Sequence, residues 1–134
     1  MADVLELEIA TPERQLVREQ VTEVQLPGKS GYLGILPGHA ALLSQLGTGI
    51  LSFVLGGRKR SLCVQGGFAE VSNDHVRVLA NIAERCEDID VEKARADLAK
   101  ANQDVVNPAL GVDPAVALEA LAWAQARVDA ASHR

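Results

Sequence analysis

The side chains in this sequence best suited to chemistry are three histidines and two cysteines, and none sits in a pattern that performs it. His39 follows a Pro37-Gly38 turn, His75 follows a turn aspartate, and His133 lies near the end of the sequence. No serine is accompanied by a nearby histidine and acid, and no Gly-x4-Gly-Lys-Ser/Thr loop is available to cradle a phosphate. Histidine and cysteine do not fall at metal-ligand spacing, so no metal site is expected. His39 reads as a polar cap on a buried turn or as a partner contact, and a small hydrolase using it is a third reading. Cys63 and Cys86 are expected as reduced thiols. Gly66-Gly67 is too short for a phosphate cradle and is expected to let two sheets approach closely; Gly38 and Gly67 are read as close backbone approaches and Gly57 only as a turn residue. Arg58, Lys59 and Arg60 are consecutive cations, either a solvated hairpin end or a docking patch for an acidic partner.

The elements that carry these residues follow from patterning. The chain has 134 residues, is 48% hydrophobic and 3% aromatic, and so can bury one ordinary core, or a small domain with an appendage. Its apolar runs are broken well before the roughly twenty residues of a membrane span, and the first residues lack a basic, apolar leader pattern, so direct membrane insertion is not expected. Net charge is −5. Residues 1–86 hold nine acids and eight bases and residues 87–134 nine acids and five bases, so the tail carries −4 of it. No basic stripe is present for a nucleic acid.

Leu5, Leu7 and Ile9 alternate with Glu6 and Glu8, which predicts a half-buried strand. Strands are expected next around Gln15–Glu19 and Val21–Leu26, with Pro27-Gly28 turning the chain. The stretch Gly31–Gly49 is apolar yet punctuated by glycine, and predicts a bent, buried crossover to which Ile35, Leu36, Leu42, Leu43 and Leu46 supply core. Within it, Tyr32–Leu36 is read as a strand, Pro37-Gly38 as a turn and Ala40–Leu46 as a strand. Gly56-Gly57 between two β-rich runs predicts a tight hairpin, and Ser72-Asn73-Asp74 predicts another between Phe68–Val71 and His75–Ala80. Short strands without intervening helices call for a sandwich or flattened barrel.

From Glu87 the period becomes helical. Val91, Ala94, Leu98, Ala101 and Val105 share one face, and Glu87, Asp88, Asp90 and Glu92 crowd the start, where carboxylates favour the helix dipole. Asn107-Pro108-Ala109-Leu110-Gly111 breaks the helix. Asp113 as N-cap and Pro114 at the first helical position start a second one, with Leu118, Leu121, Gln125 and Val128 on one side. Contacts made largely of alanine predict a weak, mobile hairpin.

Leu33-Gly34-Ile35-Leu36-Pro37-Gly38-His39-Ala40, followed by Gly66-Gly67-Phe68-Ala69-Glu70-Val71 and then Val78-Leu79-Ala80 and Ala83-Glu84, resembles the epsilon subunit family of F-type ATP synthases. The resemblance implies a non-catalytic rotor subunit of the central stalk, with gamma, the c-subunit ring and the alpha/beta head as partners. It would be peripheral on the cytoplasmic face of a bacterial plasma membrane, with helices that restrain ATP hydrolysis. It assigns Gly31, Tyr32 and Leu33 to the c-ring contact and Pro37, Gly38 and His39 to the rotor-facing region; Tyr32 takes a position often acidic in the family. Some members bind regulatory ATP through Ile-Asp-x-x-Arg-Ala. Here Ile89-Asp90-Val91-Glu92-Lys93-Ala94, with Glu84 upstream and Arg127 on the second helix, matches in part. Lys93 replaces an arginine and Trp123 stands in for a second, so the resemblance implies weak or absent ATP binding at Glu84, Asp90, Lys93, Ala94 and Arg127 and no resident cofactor.

The fold class expected is thus α+β: an N-terminal antiparallel β-sandwich or flattened barrel over residues 1–86, then an antiparallel two-helix hairpin over residues 87–134. A freestanding β-sandwich binding module with a helical tail is the alternative to the rotor subunit.

Overall fold

A computed structural model describes residues 3–133. Among them eight strands are followed by a short 3-10 turn, Cys86–Asp88, and two helices, α1 (Val91–Val106) and α2 (Pro114–Ala131). The strands are β1 (Leu5–Ala10), β2 (Gln15–Val21), β3 (Glu23–Gly28), β4 (Gly31–Ile35), β5 (Leu42–Gln45), β6 (Thr48–Leu55), β7 (Arg58–Ser72) and β8 (His75–Arg85). They form a β-sandwich ordered β2-β1-β8-β7-β6-β3-β4, with β5 also paired to β7. Their pairings are antiparallel except for β1 with β8, which run parallel. These two strands come from opposite ends of the sandwich sequence, so no hairpin dictates their sense.

The two long strands make the sandwich. β7 pairs with β6 through Gln65 and with β5 from Phe68 onwards, so it leaves one layer for the other at Gly66-Gly67. Both glycines have positive φ, and a Cβ on Gly67 would lie 2.0 Å from the Leu79 carbonyl oxygen of β8. The close approach expected here is therefore real, but it is to the neighbouring strand and not between two sheets. What was read as two separate strands is one strand with a corner. Gly38, by contrast, has a positive φ of 87° and open space where a Cβ would go, so its demand is conformational and not steric.

Alternation places Leu5, Leu7, Ile9, Val24, Leu26, Ile35, Leu51, Leu62, Val64, Val71, Val76 and Val78 in one core. The Gly31–Gly49 stretch is less buried than its composition suggests. Ile35 and Leu46 are core, but Leu36 and Leu43 are 56% and 69% exposed. Leu43 falls on the outward phase of the β5 pleat and Leu36 lies just past the end of β4. Pro27 and Gly28 end β3, and the chain turns at Lys29-Ser30 instead. Gly56-Gly57 and Asn73-Asp74 make two-residue turns with positive φ at both positions, as tight hairpins need.

Helix α2 packs on the outside of β6 and β7, and α1 packs on α2. A second, smaller cluster joins Cys63, Cys86 and Ile89 to Ala94, Ala126 and Ala130, with Ile50, Trp123 and Val128 partly buried against it. Asp90 caps α1 by accepting from the Lys93 amide at 3.1 Å, so α1 begins at Val91 and Glu87 and Asp88 belong to the preceding 3-10 turn. On α1 the buried positions Ala94 and Ala101 lie on the expected face. On α2 they are Ala124, Ala126 and Ala130, while Leu118 and Gln125 are exposed. A helix apolar nearly all round offers no polar face from which to read the buried one.

Candidate functional site

Two regions collect the residues singled out above. The first is the β3–β4 hairpin with the β4–β5 loop. Tyr32 is 63% exposed, yet its ring is held. Beyond the last β3–β6 pair, Gln25 with Ser52, the Ile50 amide donates to the Tyr32 hydroxyl at 3.0 Å. A Cβ on Gly49 would fall 2.5 Å from that hydroxyl oxygen, so glycine there leaves the bed in which the ring lies. Leu33 packs on the core and Gly31 is exposed. A shallow hollow of about 340 Å³ runs between this hairpin and Leu43, Ser44 and Gln45.

Pro37, Gly38 and His39 sit on a loop tied from elsewhere in the chain. Asp74, in the β7–β8 turn, accepts from the Gly38 amide at 2.6 Å, and its own carbonyl accepts from Glu6 at 2.9 Å. The His39 amide donates to Leu36, and His39 Nδ1 lies 2.7 Å from the Ala40 carbonyl oxygen. A carbonyl only accepts, so Nδ1 carries the proton and His39 acts as a turn cap. Beside this loop, Phe68 on β7 and Leu79 on β8 are paired and half-exposed, and Gln45 of the strand bearing Leu43 pairs with Phe68. The outward face so formed is mixed, because Glu70 and Arg77 pair beside Leu43 on the same side.

The second region lies under the helices, and here the structure brings together residues distant in sequence. Arg127, whose side chain is only 11% exposed, donates from Nε to Glu84 at 2.8 Å and from Nη1 to Asp97 at 3.3 Å. Lys93 bonds the same Asp97 oxygen at 3.0 Å. Glu84, Arg127, Asp97 and Lys93 thus form one chain of ion pairs across β8, α2 and α1. Burial opposes the charge on Arg127, but the hydrogen bond and charge of Glu84, with Asp97 adding, outweigh it and raise its pKa above the ordinary value. Asp90 is the α1 cap and Ala94 is fully buried in the helix seam. Trp123 is partly buried against the small cluster of that seam. Asp97 was not singled out from sequence, although its position four residues after Lys93 on a helix was a usable signal. Burial pushes the Cys63 thiol up to about 12, with the Glu84 charge contributing. Among the described residues no group of three or more His, Cys, Asp or Glu converges as a metal site would, and no helix is long and apolar enough to cross a membrane.

The model of the ATP synthase delta/epsilon chain β-sandwich domain matches residues 4–86, and the chain is 59% identical to the ATP synthase epsilon chain of Solibacter usitatus over 134 residues, all of both chains. The chain belongs to the ATP synthase epsilon chain family. A second family relative, from Koribacter versatilis, is 48% identical over 103 residues, covering 77% of this chain and 72% of the relative. Among solved structures, a chain of the Euglena gracilis mitochondrial ATP synthase, described as OSCP/F1/c-ring in rotational state 1, superposes with a TM-score of 0.85 at 28% identity, covering 99% of this chain and 84% of that one. A chain of the Tetrahymena thermophila mitochondrial ATP synthase central stalk and c-ring gives a TM-score of 0.59 at 14% identity, over 96% and 93% of the two chains, which bears on the fold alone.

Proposed function

We propose that this chain is a non-catalytic central-stalk subunit of an F-type ATP synthase, turning with gamma and coupling proton-driven rotation to synthesis in the alpha/beta head. The observation that carries this reading is the full-length similarity to an ATP synthase epsilon chain at 59% identity. The contact with gamma and the c-subunit ring would use Gly31, Tyr32, Leu33, Pro37, Gly38 and His39. In support, Gly31, Tyr32 and Gly38 are exposed, Asp74 fixes the backbone at Gly38, and the Ile50 amide holds the Tyr32 hydroxyl. The subunit would then be peripheral, on the cytoplasmic face of a bacterial plasma membrane.

The helices would act as a brake on hydrolysis, leaving a sandwich to which they are joined by a small alanine seam. ATP would bind weakly or not at all. Arg127 already has two carboxylate partners, Asp90 serves its helix cap, and Trp123 supplies packing where the family's motif has a cation. The experiment is reconstitution with gamma, alpha, beta and c subunits, using the full chain and a version lacking residues 88–134. Both should assemble, and the shorter one should hydrolyse ATP faster. Equal rates would remove the brake, and failure of the full chain to enter the complex would favour a freestanding binding module.

A further inference from the structure

The β6–β7 hairpin holds a feature that the stalk reading does not use. In an antiparallel ladder, directly paired residues share a face of the sheet. Arg60 pairs with Phe53, and Arg85 pairs with Leu62. Phe53 and Leu62 are core residues, so both arginines project from the inner face of their layer, where the sandwich opens at one end. There they line a cleft of about 290 Å³ whose opposite wall is β2, with Leu16 and Val17 buried behind it.

The Arg85 guanidinium crosses the cleft and donates to the Leu16 carbonyl. Among the described residues Arg60 forms no ion pair, and neither do Arg58 and Lys59 beside it. Two acids border the cleft, Glu19 and Glu87. Glu19 pairs with core residue Leu7 and so also faces inward, but no oxygen of either acid lies within ion-pair distance of the two arginines. Arg60 and Arg85 are thus gathered at one mouth, lined also by Arg18, in a chain whose net charge is −5. Composition does not demand this arrangement, and an anion at the mouth would give Arg60 the charged partner it lacks.

We propose that the mouth of the sandwich between β2 and the β6–β7 hairpin is a binding site for a small phosphate-type oxyanion, held by Arg60 and Arg85. Guanidinium forks match phosphate oxygens bidentately, and partial enclosure by the cleft strengthens that attraction relative to open water. The volume lies at the lower edge of the usual range for ligand pockets, so it suits phosphate or pyrophosphate but does not enclose a nucleoside as well. A nucleotide would enter by its terminal phosphates alone. Glu19 opposes the anion and keeps the site weak.

The test is a titration of the isotope-labelled full chain with pyrophosphate, followed by amide and arginine side-chain NMR. Saturable changes are expected at residues 16–19, 60–62 and 85–87. Arg60→Gln should weaken binding by about tenfold, the loss of one charge-assisted interaction, and Glu19→Gln should tighten it. Lys100→Gln, on α1 and outside the cleft, should leave it unchanged. A parallel titration with ATP separates the sources. Equal affinity for both ligands at the cleft would assign it to free phosphates, and tighter ATP binding with the same dependence on Arg60 would assign it to a nucleotide's phosphate end. Absence of saturable change up to roughly 10 mM pyrophosphate would overturn the proposal. So would equal affinity in wild type and a folded Arg60→Gln, or changes confined to the helices. None of these outcomes depends on assembly with ATP synthase subunits, so the stalk reading and this one can fail separately.

Discussion

The sandwich and the helical hairpin are held by different physics. Inside the sandwich, leucine, isoleucine and valine from all the layers are fully buried in one cluster. Under the hairpin, the buried helix residues are alanines, and the large apolar residues near its turn, Val106, Leu110 and Val116, face solvent. Burial of a leucine contributes about 1.5–3 kcal/mol, while a methyl group contributes about 0.8. The seam therefore relies for its geometry on the Arg127 ion pairs, which point in one direction as apolar contacts do not. If a part held this way separates from the sandwich while the sandwich stays folded, it has the property that the proposed brake requires.

The largest effect expected is in the sandwich. Gly67→Val combines a positive φ with a clash on the Leu79 carbonyl, and should cost several kcal/mol or prevent folding, beyond the roughly 1–3 kcal/mol of backbone strain alone. Gly38→Val meets only the strain, because its surroundings are open. Urea denaturation of both should place the Gly67 variant far below the Gly38 variant, and equal midpoints would contradict the corner at Gly66-Gly67. Leu7→Ala, in the same core, should cost about 2–5 kcal/mol.

A smaller effect is expected at the seam. Arg127→Gln leaves Glu84 and Asp97 without their shared cation. Since both carboxylates are partly exposed, the loss is discounted to about 1–2 kcal/mol. Hydrogen exchange should accelerate by about tenfold in α1 and α2, with β1–β8 unchanged. Acceleration spread evenly over the sandwich would mean that the two regions open as one.

Near neutral pH the smallest effect is the one that depends on pH. Cys63 is fully buried at the seam, and its folded pKa of about 12 lies above the ordinary 9.0. The unfolded chain therefore loses the proton first. The stabilising contribution is complete below pH 9 and declines as pH rises from there through about 12, at no more than about 1.4 kcal/mol per unit. Thermal melts from pH 8 to 11 should show a decline that is shallower in Cys63→Ala, after allowing for the constant cost of the lost packing. Parallel declines would mean that the thiol is not shielded by the helices.

Much of this organisation is legible locally. Leu5, Leu7 and Ile9 declare a strand and its buried face, Gly56-Gly57 a hairpin, and Asp113-Pro114 a helix start, because each rests on sterics and periodicity within a few residues. The motif around Leu33–Ala40 carried the family in the same way. Other features were settled only when distant segments met. Leu36 and Leu43 are as apolar as core residues, and only the absence of a covering layer leaves them outside. Asp74 reaches the Gly38 amide from 36 residues away, and Arg127 joins Asp97 and Glu84 across 30 and 43. An aspartate in a turn or on a helix is satisfied equally well by water, by a local cap or by a far partner. Side-chain type and spacing do not choose among these; the packing of one element against another does.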